Sequence, residues 1–182
     1  MKKVRILLFN SRVEQTIFDR LIRFWQWLFS RNSYYMYTHA EVMIDSIAYG
    51  SKPSQGGVRN RHFKKDEEYL WHYIDIYIND GQYIKLIDYL NSKYGVSYGW
   101  LAIILSQFFK LNFDKMENVF CVEYVIEALQ VSNIAHFKKD PNQYDIDSMV
   151  EELVDKYKFT IVDRYNNIIK YDKKGFMSYF IK

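Results

Sequence analysis

Residues 69–94, YLWHYIDIYINDGQYIKLIDYLNSKY, contain the change of hydrophobic period that decides the fold class. Apolar and aromatic residues are concentrated in residues 69–78, which is typical of a well-buried β-strand. From Gly81 onwards the apolar residues recur at helical spacing, and Asp80 is the predicted N-cap of that helix. The chain therefore passes from a strand to a helix without a long linker.

The residues before 69–94 are predicted to form mainly strands, and the residues after it mainly helices. Before it, alternating residues predict strands, with one amphipathic helix and one Gly/Pro-rich loop between them. After it, helical periodicity dominates up to a final hairpin. The predicted elements are strands 3–9, 37–45 and 47–51, helices 13–29, 81–94, 97–111, 118–129 and 144–157, the loop 52–57, and a hairpin around Asn166-Asn167. This order predicts an α+β fold, with an antiparallel sheet packed against helices.

The composition is that of one folded domain rather than a disordered or nucleic-acid-binding chain. Of the 182 residues, 49% are hydrophobic and 19% aromatic, which suits a packed core over residues 1–182, with 159–182 as a C-terminal hairpin extension. A balance of 25 basic and 22 acidic residues does not indicate a specific nucleic-acid partner. The basic stretch 59–65, RNRHFKK, is read as a solvated loop, the alternative being a site for an acidic substrate or a nucleic-acid backbone.

Two apolar stretches near the N-terminus raise the question of a signal peptide or a membrane segment. Residues 1–10 have two lysines and an apolar run, but the run is short and no small-residue cleavage site follows. Residues 16–29 are apolar and aromatic but include Asp19, Arg20 and Arg23, and they are shorter than the ~20 residues that a span needs. We expect neither a signal peptide nor a transmembrane segment, and we keep attachment of helix 13–29 to a membrane surface as a minor alternative.

The single cysteine is at the start of the predicted helix NVFCVEYVIEAL, residues 118–129. A lone cysteine excludes an internal disulfide and a multi-cysteine zinc site, and most lone cysteines simply pack in the core. If Asn118 caps the helix, however, Cys121 lies in the first turn, where free backbone N–H groups and the helix dipole lower a thiol pKa. Cys121 is therefore a candidate nucleophile as well as a candidate core residue.

A cysteine nucleophile needs a base, and three of the four histidines are poor candidates for this role. His62 lies in the basic stretch and is expected to be solvated. His136 lies in a loop without an obvious partner, and His72 lies between Trp71 and Tyr73 in a strand, where a packed histidine is the usual finding.

His39 is the best candidate for the base. It begins a strand in which Ala40, Val42 and Ile44 face one way, and it points to the opposite face together with Glu41, ~6.5–7 Å further along. Glu41 is therefore a candidate for orienting the imidazole, although a structural hydrogen bond at a sheet edge would give the same pattern.

Four short motifs, in this order, resemble those of the circularly permuted papain-like cysteine hydrolases of the NlpC/P60 type. They are THAE (38–41), GGVR (56–59), YGW (98–100) and FCVE (120–123). The resemblance covers residues ~1–130 and is greatest to the YiiX-like and bacteriophage branch. Histidine before cysteine is the permuted order. The resemblance implies a papain-like fold with the cysteine at a helix N-terminus.

The resemblance also implies roles for individual residues. Cys121 would attack a carbonyl group and His39 would be the general base, later the acid for the leaving group. A third polar residue on the next strand corresponds to Ser51, although a simple hairpin places Ser51 on the face away from His39 and leaves Glu41 as the alternative. Tyr98 and Gly57 would line the substrate cleft, with Tyr98 assisting the oxyanion or else packing in the core.

The expected function is hydrolysis of an amide, ester or thioester bond in a peptide or acyl substrate, without a metal or other cofactor. By analogy the chain is phage-encoded and acts in the host cytoplasm or as part of the virion. The alternative is a virion or host-interaction protein that has the same fold but no activity.

Overall fold

Alternating apolar residues form the strands of a single antiparallel sheet, with helices packed on one of its faces. The computed structural model describes residues 1–13, 20, 34, 36–99 and 118–169. Within this part of the chain the strands are β1 (Lys2–Asn10), β2 (Tyr37–Ile44), β3 (Ile47–Lys52), β4 (Gly57–His62), β5 (Trp71–Ile78) and β6 (Ile161–Val162). The predicted α+β class with an antiparallel sheet is therefore confirmed.

The described strands are ordered β4-β3-β2-β1-β5-β6, and each neighbouring pair is antiparallel. Strand β1 is central, pairing with β2 on one side and β5 on the other. Its residue Phe9 is opposite both His39 and Trp71, so these three side chains share one face of the sheet. His39 is thus placed towards the end of a central strand pair.

Three α-helices in the described part are α1 (Asp80–Ser92), α2 (Cys121–Val131) and α3 (Ile146–Asp155). The predicted inward residues of α2 are buried with the core face of the sheet; they are Val122, Val125, Ile126 and Leu129. Ala40, Val42 and Ile44 of β2 belong to the same core cluster. A smaller cluster on the opposite face contains Leu7, Ala48, Trp71 and Tyr73. Burial on both faces fixes the register of the central strands.

The cap of α1 differs from the sequence prediction by one residue. The N-cap is Asn79, not Asp80, and the Asn79 side chain accepts a 2.9 Å hydrogen bond from the Gln82 N–H. The Gln82 side chain accepts in return from the Asn79 N–H at 3.2 Å. This reciprocal capping box satisfies two backbone donors at the start of α1.

The region after β3 also departs from the prediction. The segment 59–65, read as a basic loop, begins with the last four residues of β4, which pair with residues 47–50 of β3. Residues 97–99 are extended rather than helical, with isolated bridges at Ser97 and Tyr98. The predicted helix 13–29 and the remainder of the predicted helix 97–111 lie outside the described residues, apart from Val13 in a turn and residue 20.

The start of the predicted C-terminal hairpin is confirmed over residues 161–169. Strand β6 pairs with β5, and Val162 bridges Ile168 across a turn that has Asn166 at a positive φ of 63°. The hairpin therefore begins as an additional strand of the main sheet. Its continuation lies outside the described residues.

Candidate active site

Cys121 is the first residue of α2, and the residue that caps the helix is Phe120 rather than the predicted Asn118. The Cys121 side chain is buried, at 6% exposure. Phe120 has an extended backbone conformation, and the helix begins at the next residue. Cys121 therefore lies in the first turn, where the backbone N–H groups have no hydrogen-bond partner within the helix. The Val122 N–H is directed to the Cys121 sulfur as a hydrogen-bond donor.

The sulfur lies beside β2, where the ladder between β2 and β3 has ended. The two strands pair only at Val42–Ile44 with Ile47–Tyr49. Beyond this point the Ala40 N–H interacts with the Cys121 side chain and lowers the pKa of the thiol. The start of α2 thus lies beside the end of β2 that is paired with β1 but not with β3, close to His39.

His39 has an acidic partner on each side of its imidazole. Its side chain hydrogen-bonds with Cys121, and its Nε2 lies 3.2 Å from Glu41 Oε1. Because Nε2 contacts Glu41, Nδ1 is the nitrogen available to the thiol. Burial lowers the pKa of His39, but the charge and hydrogen bonds of Cys121 and Glu41 outweigh burial and raise the pKa above its ordinary value.

The same contacts favour the ionised form of Cys121. Burial raises the pKa of the thiol, but the His39 charge and hydrogen bond, together with the N–H groups of Ala40 and Val122, bring the pKa below its ordinary value. A lowered thiol pKa beside a raised imidazole pKa is the condition for a thiolate–imidazolium pair. The arrangement can therefore supply a nucleophile and an adjacent acid–base group.

Glu41 is a buried carboxylate surrounded by positive charge. Its Oε1 lies 2.7 Å from Lys52 Nζ as well as 3.2 Å from His39 Nε2, and its Oε2 lies 3.3 Å from an Arg61 nitrogen. Burial raises the pKa of Glu41, but these partners lower it to about 2. The side chain therefore stays charged at neutral pH, and it favours the protonated imidazole.

Gly50 makes room for this carboxylate. A Cβ at position 50 would lie 2.7 Å from Glu41 Cγ and 3.2 Å from Cδ and Oε1. The Glu41 side chain crosses β3 at a position where no side chain opposes it. This requirement depends on the strand register, and no local sequence pattern indicates it.

Ser51, the other candidate for orienting the imidazole, lies elsewhere. Its hydroxyl is fully buried and donates a 2.6 Å hydrogen bond to the Val119 carbonyl. The pairing of Val42 with Tyr49 continues the simple hairpin register, which places Ser51 on the face of α2 and Glu41 on the face of His39. Ser51 thus fixes the segment before Cys121, and Glu41 is the carboxylate in contact with the imidazole.

Tyr98 reaches the sulfur from another direction. The Tyr98 hydroxyl hydrogen-bonds with Cys121, and burial together with this neighbour raises the pKa of Tyr98 far above its ordinary value, so the phenol remains a neutral donor. Tyr98 bridges Val119 in parallel register, and the Val119 N–H donates to the Ser97 carbonyl at 3.1 Å. The phenol and the thiol are therefore held by neighbouring, paired segments.

Gly57 packs against the backbone of the segment that carries Tyr98. It has a φ of 136°, and a Cβ there would overlap the Val96 carbonyl oxygen. The Val58 N–H donates to the same oxygen at 2.8 Å, and the Gly95 N–H donates to the Val58 carbonyl at 3.0 Å. Only glycine allows this close approach of the two backbones.

The sequence patterns singled out Cys121, His39, Glu41 and Tyr98, and the structure brings these four together. They did not identify Gly50, Lys52 or Arg61, which meet at Glu41 only through the pairing of β3 with β2 and β4. The other histidines lie apart from Cys121: His62 and His136 are exposed, and His72 contacts Tyr37 and Asn10. Predicting a strand over residues 57–62 would have indicated that Arg61 lies beside β3 and near Glu41.

Metal-binding clusters and membrane-spanning helices are both absent from the described part of the chain. Its residues contain no group of three or more His, Cys, Asp and Glu side chains arranged to hold a metal ion. No α-helix in the described ranges is long and apolar enough to cross a membrane.

A scan against protein-family models, a search of curated proteins and a search of solved structures each found no match for this chain.

Proposed function

We propose that the protein is a cysteine hydrolase that cleaves an amide, ester or thioester bond in a peptide or acyl substrate, on a permuted papain-like fold. The observation that carries this proposal is the chain of contacts from the Cys121 thiol to the His39 imidazole and on to the Glu41 carboxylate. The same order of groups activates nucleophiles in enzymes on unrelated folds.

In the first chemical step the Cys121 thiolate attacks the substrate carbonyl carbon, and the carbonyl π electrons move to its oxygen. The backbone N–H groups at the start of α2 and the Tyr98 hydroxyl adjoin Cys121 and can donate to the developing oxyanion. Tyr98 suits this role because its hydroxyl is neutral and already directed at the sulfur. The negative charge passes from sulfur to oxygen without leaving the reach of these donors.

The tetrahedral intermediate then collapses as the bond to the leaving group breaks. The imidazolium of His39 gives its proton to the leaving amine, alcohol or thiol, and an acyl-thioester remains on Cys121. A water molecule, deprotonated by the now neutral imidazole, attacks the thioester carbonyl carbon; the C–S bond breaks, the acyl group leaves as a carboxylic acid, and the Cys121 thiolate is regenerated beside the His39 imidazolium. Throughout, the Glu41 carboxylate keeps the ring oriented and stabilises its charged form.

The test is to trap the acyl-enzyme. Wild-type protein and the Cys121→Ala variant are incubated with p-nitrophenyl acetate and with an acyl thioester, quenched in acid, and measured by intact-mass spectrometry. The proposal predicts one acyl adduct, on Cys121, in the wild type and no adduct in the variant. Equal labelling of both proteins, or labelling at surface lysines alone, would contradict it.

An interaction protein without activity is the rival, and the contacts of the site bear on it. A thiol that only packs in a core has no need of a charged histidine, a buried carboxylate and a tyrosine hydroxyl around it. The trapping experiment separates the two because the rival predicts no adduct on Cys121 with either reagent.

A further inference from the structure

One oxygen atom of Glu41 is shared by two donors. Glu41 Oε1 lies 3.2 Å from His39 Nε2 and 2.7 Å from Lys52 Nζ. The shorter of the two contacts is the one to Lys52, so the carboxylate that orients the imidazole is more tightly engaged by a lysine than by the histidine.

We propose that Lys52 is a positioning residue that competes with His39 for Glu41 Oε1 and so limits how firmly the imidazole holds its proton. This inference depends on the proposed hydrolase function, in which His39 must first accept a proton and later release it to the leaving group. If His39 were the only partner of the buried carboxylate, proton uptake by the imidazole would be favoured and proton release to the leaving group would be disfavoured. The positive charge of Lys52 offsets part of the negative charge of Glu41, so the imidazole can release its proton more readily.

The placement of Lys52 suits this role. It is the last residue of β3, one strand away from Glu41, and it pairs with Gly57 at the start of β4. Its ammonium group lies 5.4 Å from the centre of the buried Trp71 ring, whose centre is in turn 6.1 Å from that of the His39 ring in a T-shaped arrangement. The cation therefore lies between the carboxylate and an aromatic ring, beside Glu41.

Arg61 does not duplicate Lys52. It contacts the other oxygen of Glu41, at 3.3 Å, and it makes a shorter ion pair with Glu67 at 2.7 Å. Arg61 is thus shared between two carboxylates and leaves Oε1 to Lys52 and His39. Among the described residues, the ionisable groups around the His39–Glu41 pair are Cys121, Tyr98, Lys52, Arg61 and, through Arg61, Glu67.

The charge effects agree with the geometry. Burial, His39, Lys52 and Arg61 all act on Glu41, and the Lys52 charge contributes to lowering the pKa of that carboxyl. On His39, burial lowers the pKa, Cys121 and Glu41 raise it, and the Lys52 charge again lowers it. Lys52 therefore opposes the two acids that hold a proton on the imidazole.

The test is a proton titration of His39 that needs no turnover. In the Cys121→Ser background the thiolate is absent, and the His39 ring is followed by two-dimensional NMR with and without Lys52→Met. Loss of the ammonium is expected to move the His39 titration upward, whereas the charge-conserving Lys52→Arg is expected to leave it near the parent value. An unchanged or downward titration in Lys52→Met would overturn the proposal.

A second pair of variants separates competition at the carboxylate from simple charge repulsion. When Glu41→Gln is added to both proteins, the competed oxygen is no longer charged, so the effect of Lys52→Met is expected to shrink to the direct repulsion between Lys52 and His39. An upward shift of the same size in the Glu41→Gln background would overturn the proposal, because Lys52 would then act on His39 by direct repulsion alone. Should Lys52→Met fail to fold, Lys52→Gln allows the same comparison.

This titration fails or succeeds independently of the hydrolase proposal. If Cys121 in the wild type forms no acyl adduct, the hydrolase function is wrong, and the titration still reports whether Lys52 limits the basicity of His39. If an adduct forms and the titration does not move, the function stands and the role of Lys52 is wrong.

Discussion

His39 and His72 are both strand histidines beside β1, yet their surroundings have opposite effects on protonation. Leu8 is paired with His72 and Phe9 with His39, so the two rings lie on opposite faces of the sheet, one residue apart in register. Burial lowers the pKa of both. For His72 the net result is a lowered pKa, because Asp163 raises it only in part and Arg12 lowers it further. For His39 the acids Cys121 and Glu41 reverse the effect of burial.

The difference shows that the charge of the hydrogen-bonding partner, rather than burial, distinguishes the two sites. His72 Nδ1 lies 2.7 Å from the Tyr37 hydroxyl, and its Nε2 lies 3.5 Å from the Asn10 amide, so both of these partners are neutral. A neutral imidazole between neutral groups stabilises the fold. An imidazole between a thiol and a carboxylate can exchange a proton with either neighbour.

The largest expected difference between the two sites is in acyl transfer. His39→Ala should reduce the rate of Cys121 acylation by p-nitrophenyl acetate by about 10²–10⁴-fold, because the general base is lost. His72→Ala is the matched control and should change this rate by less than about tenfold while lowering the melting temperature. Stopped-flow absorbance of p-nitrophenolate measures the rates. Equal losses in the two variants would mean that the two histidines do not differ in role.

The acidic partner of His39 should also be visible in the stability of the fold. A pKa lowered from 4.5 to about 2 corresponds to about 3 kcal/mol of unfolding free energy, at ~1.4 kcal/mol per pH unit. Since the folded-state pKa is the lower one, this contribution is present above pH ~4.5 and is lost as the pH falls towards ~2.

Glu41→Gln removes the titrating group and should therefore remove this acid-dependent loss. Urea unfolding of the wild type and of Glu41→Gln at a series of pH values between 2.5 and 7 measures the difference. The wild-type free energy should fall more steeply, and the two curves should converge at low pH. Parallel curves would mean that the pKa of Glu41 is the same in the folded and the unfolded protein.

A smaller effect is expected from displacing the carboxylate without removing it. In Gly50→Ala the new Cβ would collide with Glu41 Cγ, so the Glu41 side chain must shift from its position beside His39. We expect the acylation rate to fall by about tenfold, because His39 loses its orientation. Gly81→Ala is the control, since its Cβ would meet nothing closer than the Asn79 oxygen at 3.4 Å. A wild-type rate in Gly50→Ala would show that Glu41 does not orient the imidazole.

The smallest effect is expected at Tyr98. Tyr98→Phe deletes one hydrogen bond to the Cys121 thiolate, worth about 1 kcal/mol, so the thiol pKa should rise and alkylation near pH 6 should slow about fivefold. Phenylalanine retains the ring and its packing. Alkylation kinetics measure the change, and a faster rate in the variant would contradict a donating role for the hydroxyl.

The parts of the site that the sequence could predict are those with local patterns. Alternation in β2 puts His39 and Glu41 on one face, and the helical period after Cys121 puts the thiol at a helix start. Strand β4 was missed because Arg59, Asn60 and His62 are polar residues of an edge strand, where no alternation of buried residues distinguishes strand from loop. The meeting of Gly50, Lys52 and Arg61 at Glu41 required the register between strands, which single-chain patterns do not determine.

Activation of the Cys121 thiol by His39 underlies every functional proposal made for this protein. It is measured by the rate of Cys121 alkylation by iodoacetamide from pH 4 to 10, in the wild type and in His39→Ala. We expect wild-type reactivity well below the ordinary thiol pKa of ~8.5, and a profile displaced upward in the variant. A wild-type thiol that titrates near ~8.5, or one whose profile does not change without His39, would show that the two residues do not form an activated pair.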